Sequence, residues 1–214
     1  MGSSKKTELN KNLKEHWNNA YSNKPAEKLG WFETDLSPML KLIKLTELTK
    51  DARIINIGSG STTLIDQLLN LEYTNLIATD ISEVALNNLI ERVGEQNIQS
   101  IVDDLTKPQK INTISPVDLW IDRAVLHFFT DPKEQKTYFN LLSKTIKPNG
   151  YAIFAQFNTQ SAKFCSGLPV FQYDKEKLSK QLGDDFSLIE AFDYTYTMPS
   201  GDTREYIYTL FKKK

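Results

Sequence analysis

The stretch RIINIGSGSTTLIDQLL, residues 53–69, constrains the fold of this chain more than any other segment. Its first five residues predict a buried strand, and glycines at 58 and 60 interrupt the pattern before an amphipathic segment that predicts a helix. Glycine relaxes the steric limits on the backbone, so a ligand can approach the chain closely where the strand passes into the helix. The stretch therefore predicts a strand, a ligand-binding turn and a helix, in that order.

Short apolar runs and helical stretches alternate after residue 53, which is typical of a parallel sheet covered by helices. Near the end of the chain, apolar and polar residues alternate on both sides of PSGD, which predicts an antiparallel hairpin. Ser82 is the expected N-cap of one helix, and KPNG at 147–150 is an expected turn. The predicted strands are 53–57, 75–79, 98–102, 117–122, 151–157, 188–198 and 204–211, and the predicted helices are 8–21, 37–48, 62–70, 82–93, 132–146 and 174–182.

Composition limits the function classes. A chain of 214 residues with 40% hydrophobic residues can bury one core, so a single domain is expected. A net charge of -1 provides no field that attracts a polyanion, which disfavours nucleic acid and anionic membranes as partners. The single cysteine, Cys165, excludes an internal disulfide and a multi-cysteine zinc site, and no metal is expected. No apolar run approaches the roughly 18 residues of a membrane span and no signal peptide is visible, so we expect a cytoplasmic protein.

An acidic residue, Asp80, ends the second predicted strand twenty positions after Gly60. A carboxylate at this place accepts hydrogen bonds from a ribose diol in related α/β arrangements, so the two features together favour a nucleoside ligand over a plain turn and a helix cap. The dinucleotide fingerprint has a third glycine where this chain has Thr63, which disfavours NAD. S-adenosylmethionine is cationic and is better served by carboxylates and aromatic faces.

Five motifs then carry a family resemblance. In order and spacing, IINIGSGSTTL, LIATDIS, IVDDLT, DLWIDRAVLHFF and LLSKTIKPNGYAIFAQF resemble the motif series of the class I S-adenosylmethionine-dependent methyltransferases, from about residue 15 to the C-terminus. The resemblance implies an α/β, Rossmann-like, doubly wound sheet of seven strands, mostly parallel with an antiparallel C-terminal strand and helices on both faces. It also implies that residues 1–50 form a helical lid segment, within the same domain as the cofactor-binding residues 51–214.

Carried over residue by residue, the resemblance also assigns a cofactor site. Gly58 and Gly60 would approach the amino acid end of S-adenosylmethionine, Asp80 would hold the ribose, and Asp104, in preference to Asp103, would read the adenine edge. The expected cofactor contacts are Trp17, Tyr21, Trp31, Asn56, Gly58, Ser59, Gly60, Asp80, Ile81, Asp104, Leu105, Asp122 and Arg123. At one of these positions, residue 56, the family commonly has an acidic side chain and this chain has asparagine.

Methyl transfer from a sulfonium is a direct displacement, so the protein mainly has to align the reactants and exclude water. His127, Tyr21 and Asp122 are the candidate catalytic residues, and a buried supporting role for His127 is the alternative. Trp17 and Trp31, together with Tyr21, are expected to cover the cofactor.

The expected activity is methyl transfer to an oxygen, nitrogen or sulfur atom of a small molecule. A protein lysine N-methyltransferase is the main alternative, because methyltransferase-like enzymes of that kind share an N-terminal Trp/Tyr segment. An NAD-dependent oxidoreductase and a non-catalytic cofactor-binding module are the remaining alternatives.

Overall fold

The computed structural model of this protein describes residues 2–214, with side chains from Leu13 onward. The strands are β1 (Arg53–Ile57), β2 (Asn75–Asp80), β3 (Gln99–Val102), β4 (Val117–Arg123), β5 (Ile146–Phe157), β6 (Phe164–Cys165), β7 (Leu168–Pro169), β8 (Phe186–Thr197) and β9 (Thr203–Lys213). The α-helices are α1 (Gly2–Asn23), α2 (Ser37–Leu45), α3 (Leu64–Asn70), α4 (Glu83–Val93), α5 (Pro132–Thr145) and α6 (Lys175–Leu182).

Seven of these strands form one sheet in the order β3-β2-β1-β4-β5-β9-β8, and β6 pairs with β7 in a separate two-stranded ribbon. Strands β1 to β5 pair in parallel, whereas β9 runs antiparallel to both of its neighbours, β5 and β8. The predicted fold class is therefore confirmed, including the antiparallel last strand.

Alternate residues of the central strands bury two apolar layers, one on each face of the sheet. Ile55 and Trp120 pack with side chains of α5 and α6. Ile54 and Ile121 pack on the opposite face with side chains of α2, α3 and α4. Two covered faces explain why the strands of the parallel half are almost continuously apolar in the sequence.

The segment KPNG differs from its prediction as a turn between a helix and a strand. Strand β5 already begins at Ile146, which pairs with Val117, and the next paired residues are Tyr151 and Leu119. Residues 147–150 therefore bulge out of β5, with Asn149 in a left-handed conformation at a φ of 64°. Lys147 stabilises the bulge because its Nζ lies 2.8 Å from Asp118 Oδ1 of the neighbouring strand.

The register brings the carboxyl ends of the parallel strands to one edge of the sheet. Ile57 of β1 pairs with Thr79 of β2 and with Asp122 of β4, so the loops after these strands leave the sheet side by side. Ser82 caps α4 as predicted, since its Oγ accepts a hydrogen bond from the backbone N–H of Ala85 at 3.2 Å. Across the part of the chain that the structure describes, every helix is too short or too polar to span a bilayer.

Candidate active site

A cleft opens at the carboxyl edge of β1 to β4, and α1 crosses over it. Its cavity volume is about 150 Å³, whereas one water needs only about 10–15 Å³, so the cleft has room for a ligand of many atoms. The predicted cofactor residues that line it are Trp17, Tyr21, Trp31, Asn56, Gly58, Ser59, Asp80, Ile81, Asp104, Leu105 and Arg123. The remaining predicted site residues, which are Gly60, Asp122 and His127, do not line it.

The glycine turn after β1 needs both of its glycines. Gly58 and Gly60 have φ angles of 61° and 44°, which side chains rarely tolerate. A Cβ at Gly58 would overlap Val125, and a Cβ at Gly60 would overlap the Tyr21 hydroxyl. Gly60 therefore lies against the Tyr21 hydroxyl, and a side chain at this position would displace it.

The amides of this turn are already engaged within the protein. Ser59 N–H donates to the Thr79 carbonyl at 2.8 Å, Gly60 N–H donates to Asp80 Oδ2 at 3.0 Å, and Thr62 N–H donates to the Ser59 carbonyl at 2.9 Å. A dinucleotide pyrophosphate is normally bound by such amides at the start of the helix. Their internal hydrogen bonds disfavour a pyrophosphate and limit the backbone contacts expected of Ser59.

Asp80 joins the glycine turn to the start of α4. One carboxylate oxygen accepts from Gly60 N–H at 3.0 Å, and the other accepts from Ser82 N–H at 2.8 Å. Only 7% of Asp80 is exposed, and burial raises its pKa to about 6. The carboxylate therefore has a structural role in the turn and also lines the cleft.

Two neighbouring carboxylates after β3 have different environments. Asp103 accepts hydrogen bonds from the backbone N–H groups of Gln109, Lys110 and Ile111, which fixes the loop that follows. Asp104 accepts from the backbone and hydroxyl of Thr106 at 2.9 and 2.7 Å. Both carboxylates line the cleft.

An aromatic cluster covers the cleft. The Trp17 ring lies edge-on to Trp31 and to Phe128, with ring centroids 5.4 and 5.2 Å away, and Tyr21 lies 5.8 Å from Trp31. Burial, followed by the charge of Asp80, raises the pKa of Tyr21 well above its usual value, so its hydroxyl stays protonated at neutral pH.

Polar contacts hold α1 over the cleft on two sides. On the α4 side, Asn18 Oδ1 accepts from Ser82 Oγ at 2.7 Å. On the opposite side, His16 Nε2 lies 3.4 Å from Ser166 Oγ, in the turn between β6 and β7. The helix therefore bridges the two walls of the cleft.

Asp122 lies in the core and not in the cleft. It is 0% exposed, and its carboxylate accepts from the Tyr138 hydroxyl at 2.6 Å, Gln156 Nε2 at 2.7 Å and the Val125 N–H at 3.0 Å. These donors leave no path to a ligand, so the geometry argues against the predicted catalytic and cofactor contacts. Instead, Asp122 fixes the turn after β4.

His127 is also placed away from the cleft. Its ring is 0% exposed and packs between Phe128 and Phe157, with centroids 4.4 and 4.6 Å away. Burial, with a smaller contribution from Arg123, lowers its pKa to about 3. Both ring nitrogens lack a hydrogen-bond partner among the side chains and backbone described from residue 13 onward. This environment favours the alternative of a buried, uncharged histidine over a general base.

A buried ion pair at the other end of the cleft has no counterpart in the sequence prediction. Arg123 Nε lies 3.1 Å from Glu33 Oε1, which also accepts from the Tyr208 hydroxyl at 3.1 Å. The Arg123 guanidinium stacks 4.9 and 5.0 Å from the ring centroids of Tyr196 and Tyr206. The alternating tyrosines of the C-terminal hairpin are the sequence signal that could have indicated such a cluster.

Cys165 lines the same end of the cleft. Burial raises the pKa of its thiol to about 11, so it is protonated and unreactive at neutral pH. The described side chains contain no group of three or more His, Cys, Asp and Glu residues that could hold a metal ion.

The residues of the cleft fit S-adenosylmethionine. Ser61 and Thr79 line the cleft, and their hydroxyls are buried without a hydrogen-bond partner among the described residues. A polar ligand in the cleft would supply the missing partners. Asp80 brings a carboxylate that suits a ribose diol, and the aromatic faces of Trp17 and Trp31 suit a sulfonium.

Sequence comparison extends these findings. Residues 48–213 match the sequence model of a family described as "Methyltransferase domain". An EEF1A lysine methyltransferase 2 from Danio rerio is 26% identical over 161 residues, which is 68% of each chain.

Comparison with solved structures identifies the same fold. A SAM-dependent methyltransferase from Anabaena variabilis superposes with a TM-score of 0.77 at 14% identity, covering 96% of this chain and 95% of that one. A Burkholderia thailandensis 1,6-didemethyltoxoflavin-N1-methyltransferase, with its substrate and S-adenosylhomocysteine bound, superposes with a TM-score of 0.70 at 13% identity, covering 100% and 91%. At these identities the likeness is one of fold.

Proposed function

This chain belongs to the methyltransferase domain family, and on that premise we propose that it transfers a methyl group from S-adenosylmethionine to a small-molecule acceptor. S-adenosylmethionine would supply an activated methyl group, and the acceptor would have to bring the lone pair that receives it. The protein's residues bind and orient the reactants and exclude water.

In this proposal, one end of the cleft binds the cofactor and the other end binds the acceptor. At the end near β1 to β3, Asp80 would accept from the ribose hydroxyls, Asp104 and the Leu105 backbone would border the adenine, and Gly58 would let the amino acid part approach. At the opposite end, Trp17, Trp31, Phe128, Glu33, Arg123 and Cys165 surround the place for the acceptor. We name these six residues the acceptor compartment.

The enclosure of the acceptor compartment is the observation that favours a small molecule. Trp17 touches Phe128 across the cleft, and His16 of α1 reaches Ser166 on the far wall. A small acceptor is covered completely by this arrangement, whereas a lysine on a folded protein requires an open channel through it.

Calorimetry tests the cofactor half of the proposal. We expect S-adenosylhomocysteine and S-adenosylmethionine to bind with micromolar affinity, about -8 kcal/mol. Absence of heat for both at millimolar concentration would refute the proposal.

Protein lysine methylation is the second candidate, because the Danio rerio relative is named a lysine methyltransferase. Tritiated S-adenosylmethionine incubated with a cell lysate separates the two activities. Label in the small-molecule fraction supports the proposed function, and label in a discrete protein band that resists removal by ester hydrolysis supports the second candidate.

A further inference from the structure

A buried hydrogen-bond network lies behind the turn that follows β4. Its centre is the Asp122 carboxylate, which accepts from the Tyr138 hydroxyl of α5 at 2.6 Å and from Gln156 Nε2 of β5 at 2.7 Å. The Tyr138 hydroxyl accepts in turn from Trp120 Nε1 at 2.9 Å. Side chains of a helix and a neighbouring strand therefore fix the orientation of this carboxylate.

The network holds the backbone of the turn itself. Asp122 accepts from the N–H of Val125 at 3.0 Å and from the N–H of Leu126 at 3.2 Å, and Gln156 Oε1 accepts from the N–H of His127 at 3.1 Å. Three successive amides of the turn thus depend on two buried side chains.

The residue just before these amides is strained. Ala124 has a φ of 64°, in the left-handed region that a residue with a Cβ rarely adopts. Its N–H donates to the Ala155 carbonyl at 2.9 Å, and Ala124 lines the cleft. A strained conformation persists only where surrounding contacts hold it, and here the hydrogen bonds to the next three residues do so.

The same turn contributes to both ends of the cleft. Val125 lies against Gly58 at the cofactor end, since a Cβ at Gly58 would overlap its side chain. Phe128 packs against Trp17 in the acceptor compartment, with ring centroids 5.2 Å apart. A change in the backbone of the turn would therefore alter both ends at once.

We propose that Tyr138 and Gln156 are positioning residues for methyl transfer: through Asp122 they hold residues 124–128 in the conformation that both ends of the cleft require. Both side chains are fully buried and lie outside the cleft, so each acts through the turn and not on a ligand. The inference rests on the proposed function and extends its machinery into the core.

Calorimetry tests the effect on the cofactor end. Tyr138→Phe keeps the ring and removes one donor to Asp122, so we expect the Kd of S-adenosylhomocysteine to rise about tenfold. Thr145→Val is the matched control, because it removes another buried hydroxyl of α5, whose hydrogen bond goes to the Leu141 carbonyl at 2.8 Å and not to the turn. Its Kd should stay within about twofold of that of the unaltered protein.

Hydrogen exchange supplies a readout that a general loss of stability would not give. Without ligand, the amides of residues 125–128 should exchange at least about tenfold faster in Tyr138→Phe than in the unaltered protein, whereas the amides of β1 and β2 should keep their rates. Gln156→Met is similar in size, removes the second donor to Asp122 and the acceptor for the His127 N–H, and should act in the same direction.

Both measurements are made well below the midpoint of thermal unfolding of each variant. Unchanged exchange of residues 125–128, or an unchanged Kd of S-adenosylhomocysteine, in folded Tyr138→Phe overturns the inference. If Tyr138→Phe does not fold, the same two measurements on Gln156→Met decide it.

The same experiments distinguish this inference from the proposed function. Failure of the unaltered protein to bind S-adenosylhomocysteine counts against the proposed function. Normal binding by the unaltered protein, with no change in the folded variants, counts only against the positioning roles of Tyr138 and Gln156.

Discussion

The two ends of the cleft are built in different ways. At the cofactor end, each polar residue lies within a few positions of a strand end, and backbone hydrogen bonds of the local turns set its place, as for Asp80 with Ser82 and for Asp104 with Thr106. At the acceptor end, distant segments meet through side chains: Arg123 contacts Trp31 across 92 positions, and Tyr208 contacts Glu33 across 175. Local turns make a site that a family of sequences can share, whereas long-range side-chain contacts make a compartment that can differ between members.

The largest expected effect concerns the ion pair of the acceptor end. Arg123→Met leaves the buried Glu33 without its partner, so the free energy of unfolding should fall by about 3–5 kcal/mol in urea denaturation. The double variant Arg123→Met, Glu33→Gln removes both charges and should recover part of this loss. A loss below about 1 kcal/mol for the single variant would show that this end does not depend on the ion pair.

The next effect concerns the cofactor end. Asp80→Ala removes the carboxylate expected to bind the ribose, so the Kd of S-adenosylhomocysteine should rise about 100-fold, or about 2.7 kcal/mol, in calorimetry. Asp118→Ala is the matched control, because Asp118 makes an ion pair at the opposite edge of the sheet. Unchanged affinity in folded Asp80→Ala would contradict the ribose contact.

A smaller effect follows from the pKa of Asp80, which burial raises to about 6. Protonation removes acceptor capacity as the pH falls through this value, so affinity for S-adenosylhomocysteine should decrease about tenfold from pH 7 to pH 5. Asp80→Asn has no titratable group and should abolish this pH dependence. An equal decrease in Asp80→Asn would assign the titration to another group.

The smallest expected effect concerns His127, whose ring packs against Phe128 of the acceptor compartment. His127→Leu replaces a buried, uncharged ring, so the affinity for S-adenosylhomocysteine and the rate of methyl transfer should both stay within about twofold. A loss of rate above about 100-fold with normal cofactor affinity would restore His127 as a general base.

Sequence reasoning succeeded where a property repeats along the chain or lies next to its cause. The strand and helix order, the antiparallel last strand and the Ser82 cap all follow from local patterns of apolar and capping residues. It was less successful with Asp122 and His127, because a position at or near the end of β4 indicates the edge of the sheet but not the direction of a side chain. In the structure, Asp122 at the end of β4 and His127 in the following turn are both buried in the core.

The sequence by itself determined the fold, the glycine turn and the carboxylates along one edge of the sheet, because periodicity and short-range turn chemistry are written in consecutive residues. Only the tertiary structure decided that Asp122 and His127 lie in the core and that Glu33, Arg123 and the hairpin tyrosines form one cluster. Such contacts depend on how distant segments are brought together, and burial then sets which of their polar atoms remain for a ligand.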